Sequence, residues 1–298
     1  MKQEVRPVPL SGPFLDEREE ELVVEVMRSG RLSLGPMVDR FEELFAAKVG
    51  APYAAAVSSG TAGLHLLCVA AGIEPGDEVI TSPYSFAASA NCFVYEGGVP
   101  VFADIDARTL NMDPRAVEAA ITPRTKAIVA VDIYGYPCEM DELRAIADRH
   151  GLVLIDDSCE ALGAEYRGAP LGSQGPSAVF AFYPNKQMTT GEGGMVTTHS
   201  EKEWRLLRSL RNQGRGDDGG CVRHAELRRE ELLEAVDRRT ERQPPGAHDL
   251  HHELFLALVE ERPRQRDRTD FLLHALVRLG AYSSHWAQRS LRPCTVSR

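Results

Sequence analysis

The sequence predicts an α/β domain on a mainly parallel central sheet over its first 220 or so residues, followed by a helical or irregular remainder. Three observations predict it. Short apolar runs alternate with amphipathic segments from about residue 37 to about residue 212, as in a sheet covered by helices on both faces. Several of these runs end directly in polar or glycine-rich turns, where open α/β sheets place ligand groups. After Gly220 the alternation stops and the composition changes.

Taken in order, Met37 to Val49 reads as a helix and Tyr53 to Val57 as the first strand, ended by Ser58-Ser59-Gly60. Ala62 to Ala71 reads as a helix, Glu78 to Ser82 as a strand, Ser85 to Glu96 as a helix and Val99 to Asp104 as a strand. Ala127 to Ile133 is a strand, Met140 to His150 a helix and Val153 to Asp157 a strand ending in acids. Ala178 to Phe182 and Met195 to Thr198 are the last strands, and Glu201 to Asn212 closes the pattern as a helix.

With 298 residues, 43% hydrophobic and 26% charged, the chain has a globular composition and enough length for a core that excludes water from a reaction centre. The net charge of -10 argues against a general nucleic-acid surface, which needs clustered Lys and Arg. The start has no signal-like apolar core, and no run approaches a membrane span, so a soluble, cytoplasmic protein is expected. Six scattered cysteines, none in a C-x-x-C pair, point to reduced thiols rather than a zinc site or a disulfide framework.

Three segments carry chemistry. In Phe182-Tyr183-Pro184-Asn185-Lys186, followed by Gln-Met-Thr-Thr-Gly-Glu-Gly-Gly, one lysine sits between a buried strand and a glycine-rich turn. Partial desolvation there would make its amine a Schiff-base nucleophile, although a surface loop lysine reads the same way. In Ile155-Asp156-Asp157-Ser158-Cys159-Glu160, a strand-end carboxylate could pair with a protonated ring nitrogen; a magnesium site is the rival reading. In Ser58-Ser59-Gly60-Thr61-Ala62, a tight turn opens a helix, so the N–H groups of Thr61 and Ala62 could meet a phosphate, with Gly60 permitting close approach. An ordinary N-cap accounts for the same residues.

Their joint order, with Pro100-Val101-Phe102-Ala103-Asp104-Ile105-Asp106 between them, resembles the DegT/DnrJ/EryC1/StrS family of sugar aminotransferases, from about Ser29 through Arg215. The resemblance implies a fold-type I large domain using pyridoxal 5'-phosphate (PLP), with Lys186 as its Schiff-base lysine. It implies Asp157 at the pyridine nitrogen, Glu160 beside the ring hydroxyl, Phe86 stacked on the ring, and Gly60, Thr61 and Ala62 at the phosphate. The alternative for Phe86 is a core phenylalanine at a helix start. Many members carry serine where Ala181 stands here, so phosphate binding would lean on the turn. Lysine at 186, where dehydrating members carry histidine, favours transamination. The resemblance further implies a nucleotide-linked keto sugar as acceptor, an amino acid, glutamate, as donor, and a homodimer. His65 and His150 lie at helical positions and receive no role.

The family's asparagine-bearing segment and small domain find no counterpart after about residue 220. No lysine follows Lys202, while arginine and histidine crowd in, as a reading-frame change in GC-rich DNA would produce. Glu226 to Arg239, Leu254 to Glu261 and Phe271 to Leu279 read as helices, so residues 221–298 are expected to form an atypical region. A defective or non-catalytic PLP-fold protein with a regulatory or interaction role is therefore the alternative to a working enzyme.

Overall fold

The computed structural model describes residues 12–216, so the expected helices beyond Gly220, and Cys221 and Cys294, lie outside the described residues. Nine strands and seven α-helices follow one another within them. α1 (Glu17–Ser29) and α2 (Pro36–Val49) precede β1 (Tyr53–Val57). α1, not expected from periodicity, starts at a capping box in which Asp16 and Glu19 each accept a backbone N–H of the other, and it buries no residue. α2 begins with proline at its first turn and stops at Gly50, whose φ of 75° only glycine adopts without strain.

α3 (Gly60–Ala70), β2 (Glu78–Thr81), α4 (Ala88–Val94) and β3 (Val99–Phe102) come next. α4 is shorter than expected because Pro83 and the Ser82 hydroxyl, which accepts the Tyr84 N–H at 3.0 Å, hold residues 82 to 85 in a turn. α5 (Pro114–Ala119), β4 (Thr125–Val131), a 3-10 turn (Ile133–Gly135), α6 (Met140–His150) and β5 (Val153–Asp157) follow. β6 (Glu165–Tyr166) and β7 (Ala169–Pro170) make a small hairpin before β8 (Ser177–Ala181), β9 (Gly194–Thr198) and α7 (Glu201–Arg211).

The main sheet has the order β1-β9-β8-β5-β4-β2-β3. The pairs β2/β3, β2/β4, β4/β5 and β5/β8 are parallel, and β9 runs antiparallel to both β8 and β1. Side chains alternate between the two faces. Val79, Val129, Ile155 and Val179 pack with Leu64, Leu67, Phe93 and Leu207 of α3, α4 and α7. On the other face Ile80 and Ile128 meet Leu143 and Ile146 of α6, while Phe180 and Met195 meet Phe45 and Val49 of α2. β3, with an exposed pattern and Pro100 in its middle, is an edge, the place where a missing N–H costs least. No helix among the described residues is long and apolar enough to cross a membrane.

One buried ion cluster ties α2 to α7. Glu42 accepts the Ala56 N–H at 2.8 Å and both the Arg208 and Arg211 guanidinium groups, while Arg211 also donates to the Ala56 carbonyl at 2.8 Å. Glu42→Ala would strand a buried guanidinium and is expected to cost about 3 kcal/mol or more of unfolding free energy, measured by urea titration. A loss under about 1 kcal/mol would show that Arg211 finds water instead.

Candidate active site

The carboxyl ends of β1, β4, β5 and β8 converge on a cavity of about 600 Å³, a volume suited to a cofactor-sized molecule. Gly60, Thr61, Phe86, Asp157, Glu160 and Lys186 all line it, and so does Ala181. Ala62 does not: its N–H, expected to be unpaired, donates to the Ser59 hydroxyl at 3.1 Å, because Ser59 caps α3. The N–H groups of Gly60 and Thr61, in the helix's first turn, have no intrahelical acceptor. Gly60 is required by close approach, since a Cβ there would lie 2.7 Å from Cys159 Sγ and 2.8 Å from Ala181 Cβ.

Asp157 ends β5 and is buried. Its Oδ2 accepts the Ser89 hydroxyl at 2.6 Å and its Oδ1 accepts the Cys159 N–H at 3.3 Å. Burial pushes its pKa above the usual carboxylate value, against the lowering effect first of the Ser89 hydrogen bond and last of the Lys186 charge. No ion pair to Asp157 occurs among the described residues. A buried carboxylate with donors on both oxygens and no cation against it fits a protonated ring nitrogen, and the site therefore fits PLP.

Lys186 follows β8, and its side chain is only 17% exposed. Nζ donates to Glu160 Oε1 at 3.0 Å, and Glu160 Oε2 accepts the Tyr134 N–H at 3.2 Å. Tyr134 holds a φ of 53°, the left-handed region that costs a non-glycine residue of order 1 kcal/mol, and strain of this kind concentrates at functional sites. Its hydroxyl meets that of Tyr84 at 3.0 Å on the cavity wall. Phe86 is 79% exposed at the rim, so it is not a core residue. His65 is held by Glu96 at 2.7 Å and His150 lies 3.7 Å from Glu118, and neither lines the cavity.

Ser89, Tyr84 and Tyr134 were not singled out from sequence. Ser85 and Ser89 stand four residues apart in a segment expected to be helical, where that spacing puts both hydroxyls on one side, which is the signal that was there to use.

Asp132 and Asp156 are both buried at the ends of β4 and β5, and the Asp132 oxygens accept the Cys138 N–H and the Ser158 hydroxyl, each at 2.8 Å. Among the described residues no cluster suited to a metal ion occurs. Burial raises the pKa of both carboxyls, Asp156 well above the usual range with Asp132 adding to it. A folded-state pKa above the unfolded one stabilises at low pH, and that contribution is lost as pH rises through the folded value. Asp156→Asn is permanently neutral. Its unfolding free energy relative to wild type is thus expected to climb as pH rises above about 4, the ordinary carboxylate value, in urea titrations; a flat difference would show no such burial cost.

Residues 13–228 match the DegT/DnrJ/EryC1/StrS aminotransferase family. The chain is 48% identical over 207 residues to the spore coat polysaccharide biosynthesis protein SpsC of Bacillus subtilis, covering 70% of this chain and 53% of that protein. It is 46% identical over 208 residues to GDP-perosamine synthase of Caulobacter vibrioides, covering 70% and 56%. The PLP form of Spr1654 from Streptococcus pneumoniae superposes with a TM-score of 0.67 at 31% identity, over 70% of this chain and 58% of that one. The chain spans about half the length of the curated relatives it matches. On a match covering most of its length, the chain belongs to the DegT/DnrJ/EryC1/StrS aminotransferase family.

Proposed function

We propose that this chain binds PLP through Lys186 and transfers an amino group from an amino-acid donor, glutamate, to a keto sugar carried on a nucleotide. The observation that carries this reading is the convergence of Lys186, Asp157 and the Gly60–Thr61 turn, from three different strand ends, on one cavity. The nucleotide-linked acceptor takes its support from the similarity to GDP-perosamine synthase.

PLP, when bound, supplies an electron sink for charge developing on the carbon next to the substrate nitrogen. Lys186 would hold the cofactor through Nζ. Gly60 and Thr61 present N–H groups at the positive end of α3 to the phosphate. Asp157, ionised, keeps a proton on the ring nitrogen by opposing its charge. Glu160 stands where it can meet the ring hydroxyl, and Phe86 offers an aromatic face for stacking. Lys186 Nζ would also carry the proton to and from the donor's carbon, and its partly buried position would limit competition from water.

The proposal includes a homodimer, supported by α1, whose Val23 and Met27 are exposed and which packs into no core of its own. It also divides the chain at about residue 220 into a PLP-binding domain and an atypical remainder. The end of the family match at residue 228 favours one second reading: a protein that binds PLP without turnover.

The test is to titrate the purified full-length chain with PLP, then glutamate, then a keto sugar nucleotide. Visible absorbance on PLP addition, its loss with glutamate as an oxo acid appears, and its return with the sugar are expected. PLP binding without oxo acid selects the second reading, and no PLP binding overturns both.

A further inference from the structure

We propose that Ser89 is the positioning residue of the site: its hydroxyl holds the Asp157 carboxylate ionised and fixed at the base of the cavity. The inference rests on the PLP reading above and adds a residue to it.

The geometry that carries it is a chain of two serines. Ser89 sits on α4, only 2% exposed, so water does not compete for its hydroxyl. Two oxygens lie within 2.6 Å of Ser89 Oγ: Asp157 Oδ2, across 68 residues of sequence, and Ser85 Oγ, in the turn before α4. Ser85 lines the cavity.

A hydroxyl has one proton, so the chain can run in two senses. If Ser85 donates to Ser89 and Ser89 to Asp157, the run ends on an ionised carboxylate. If Ser89 instead donates to Ser85, Asp157 Oδ2 must carry a proton and donate it back. Only the first sense leaves a negative charge for a protonated ring nitrogen, and such a nitrogen near the carboxylate selects that sense in turn.

The Ser89 bond is the shorter of the two that Asp157 accepts, at 2.6 Å against 3.3 Å from the Cys159 N–H. Hydrogen bonds to a charged acceptor are the stronger class. With one donor on each oxygen the carboxylate plane is set. Without Ser89, Oδ2 is left buried with no donor, which favours the neutral acid and frees the group to turn.

The contact is read by how well the site distinguishes PLP from its deaza analogue, which has C–H in place of the ring nitrogen. Dissociation constants for both ligands are measured on full-length wild type, Ser89→Ala, Ser89→Thr and Ser85→Ala. Wild type is expected to prefer PLP. Ser89→Ala should lose about tenfold or more of that preference, Ser89→Thr should keep most of it, and Ser85→Ala should lose about threefold. A merely structural role for Ser89 would weaken both ligands alike and leave the ratio unchanged, which overturns the inference. Should Ser89→Ala fail to fold, an unchanged ratio in Ser85→Ala overturns it instead. A wild type with no preference for PLP overturns the reading of Asp157 along with it, so the two failures are told apart.

Discussion

Lys186→Ala is expected to lower amino transfer by about a thousandfold or more, since under the proposed function it would remove both the covalent anchor and the proton carrier from one position. Borohydride reduction of the wild-type complex with PLP should fix the cofactor on the peptide containing Lys186, and the variant should show no such adduct. The prediction follows from placement. The amine projects into the cavity at the end of β8, largely covered, and its one hydrogen bond is to Glu160 in the same cavity. PLP should still bind the variant non-covalently, because the Gly60–Thr61 turn and Asp157 are untouched. A small added amine, filling the space the side chain leaves, should restore part of the proton transfer. A covalent adduct found on another lysine would remove Lys186 from the role.

Most of the sheet was legible in the sequence because its strands are short apolar runs buried on both faces. β1 and β5 fall on the expected residues, while β4 begins two residues earlier than expected and ends at Val131. The elements missed lack that signal. α1 has Leu22, Val23, Val26 and Met27 at helical spacing behind the Asp16/Glu19 capping box, but it buries no residue and adds no buried apolar run to the alternation. The β6/β7 hairpin turns at Arg167 and Gly168, both at positive φ, and arginine there carries none of the Asn-Gly or Asp-Gly signal that such turns usually show.

In the site, Lys186, Asp157 and Gly60 were singled out because each stands at or just past a strand end beside unusual neighbours, and all three line the cavity. Ser89 and Tyr134 gain their meaning only when α4 and the β4 end are packed against β5, which no local pattern encodes. The Ala62 expectation failed for a local reason. The serine that makes the turn also caps the helix, and its hydroxyl takes the N–H that the anion reading needed.

Gly194→Ala is expected to cost about 3 kcal/mol of stability, at the upper end of what overpacking costs and a large part of a typical folding free energy. Gly194 opens β9 and pairs with Val57 on one side and Ala181 on the other, so it lies wedged where the cofactor turn leaves β1. A Cβ there would stand 2.7 Å from Ser59 C, 2.8 Å from Gly60 N and 2.8 Å from Phe180 O. All three are backbone atoms, so no rotamer relieves the contact. Either β9 slips from its register or the Ser59–Gly60 turn moves, and the second outcome would displace the N–H groups proposed for the phosphate. Gly60→Ala differs in degree, because one of its two closest contacts is Cys159 Sγ, a side-chain atom that can rotate, while the other, Ala181 Cβ, moves only with its backbone. Urea titrations of the two variants, each paired with a PLP dissociation constant, separate these effects. Gly194→Ala should lose stability and PLP affinity together, whereas Gly60→Ala should lose affinity with a smaller stability change. A Gly194→Ala protein as stable as wild type would mean that the β9 start and the turn are not in the contact described, and the wedge between sheet and phosphate turn would be withdrawn.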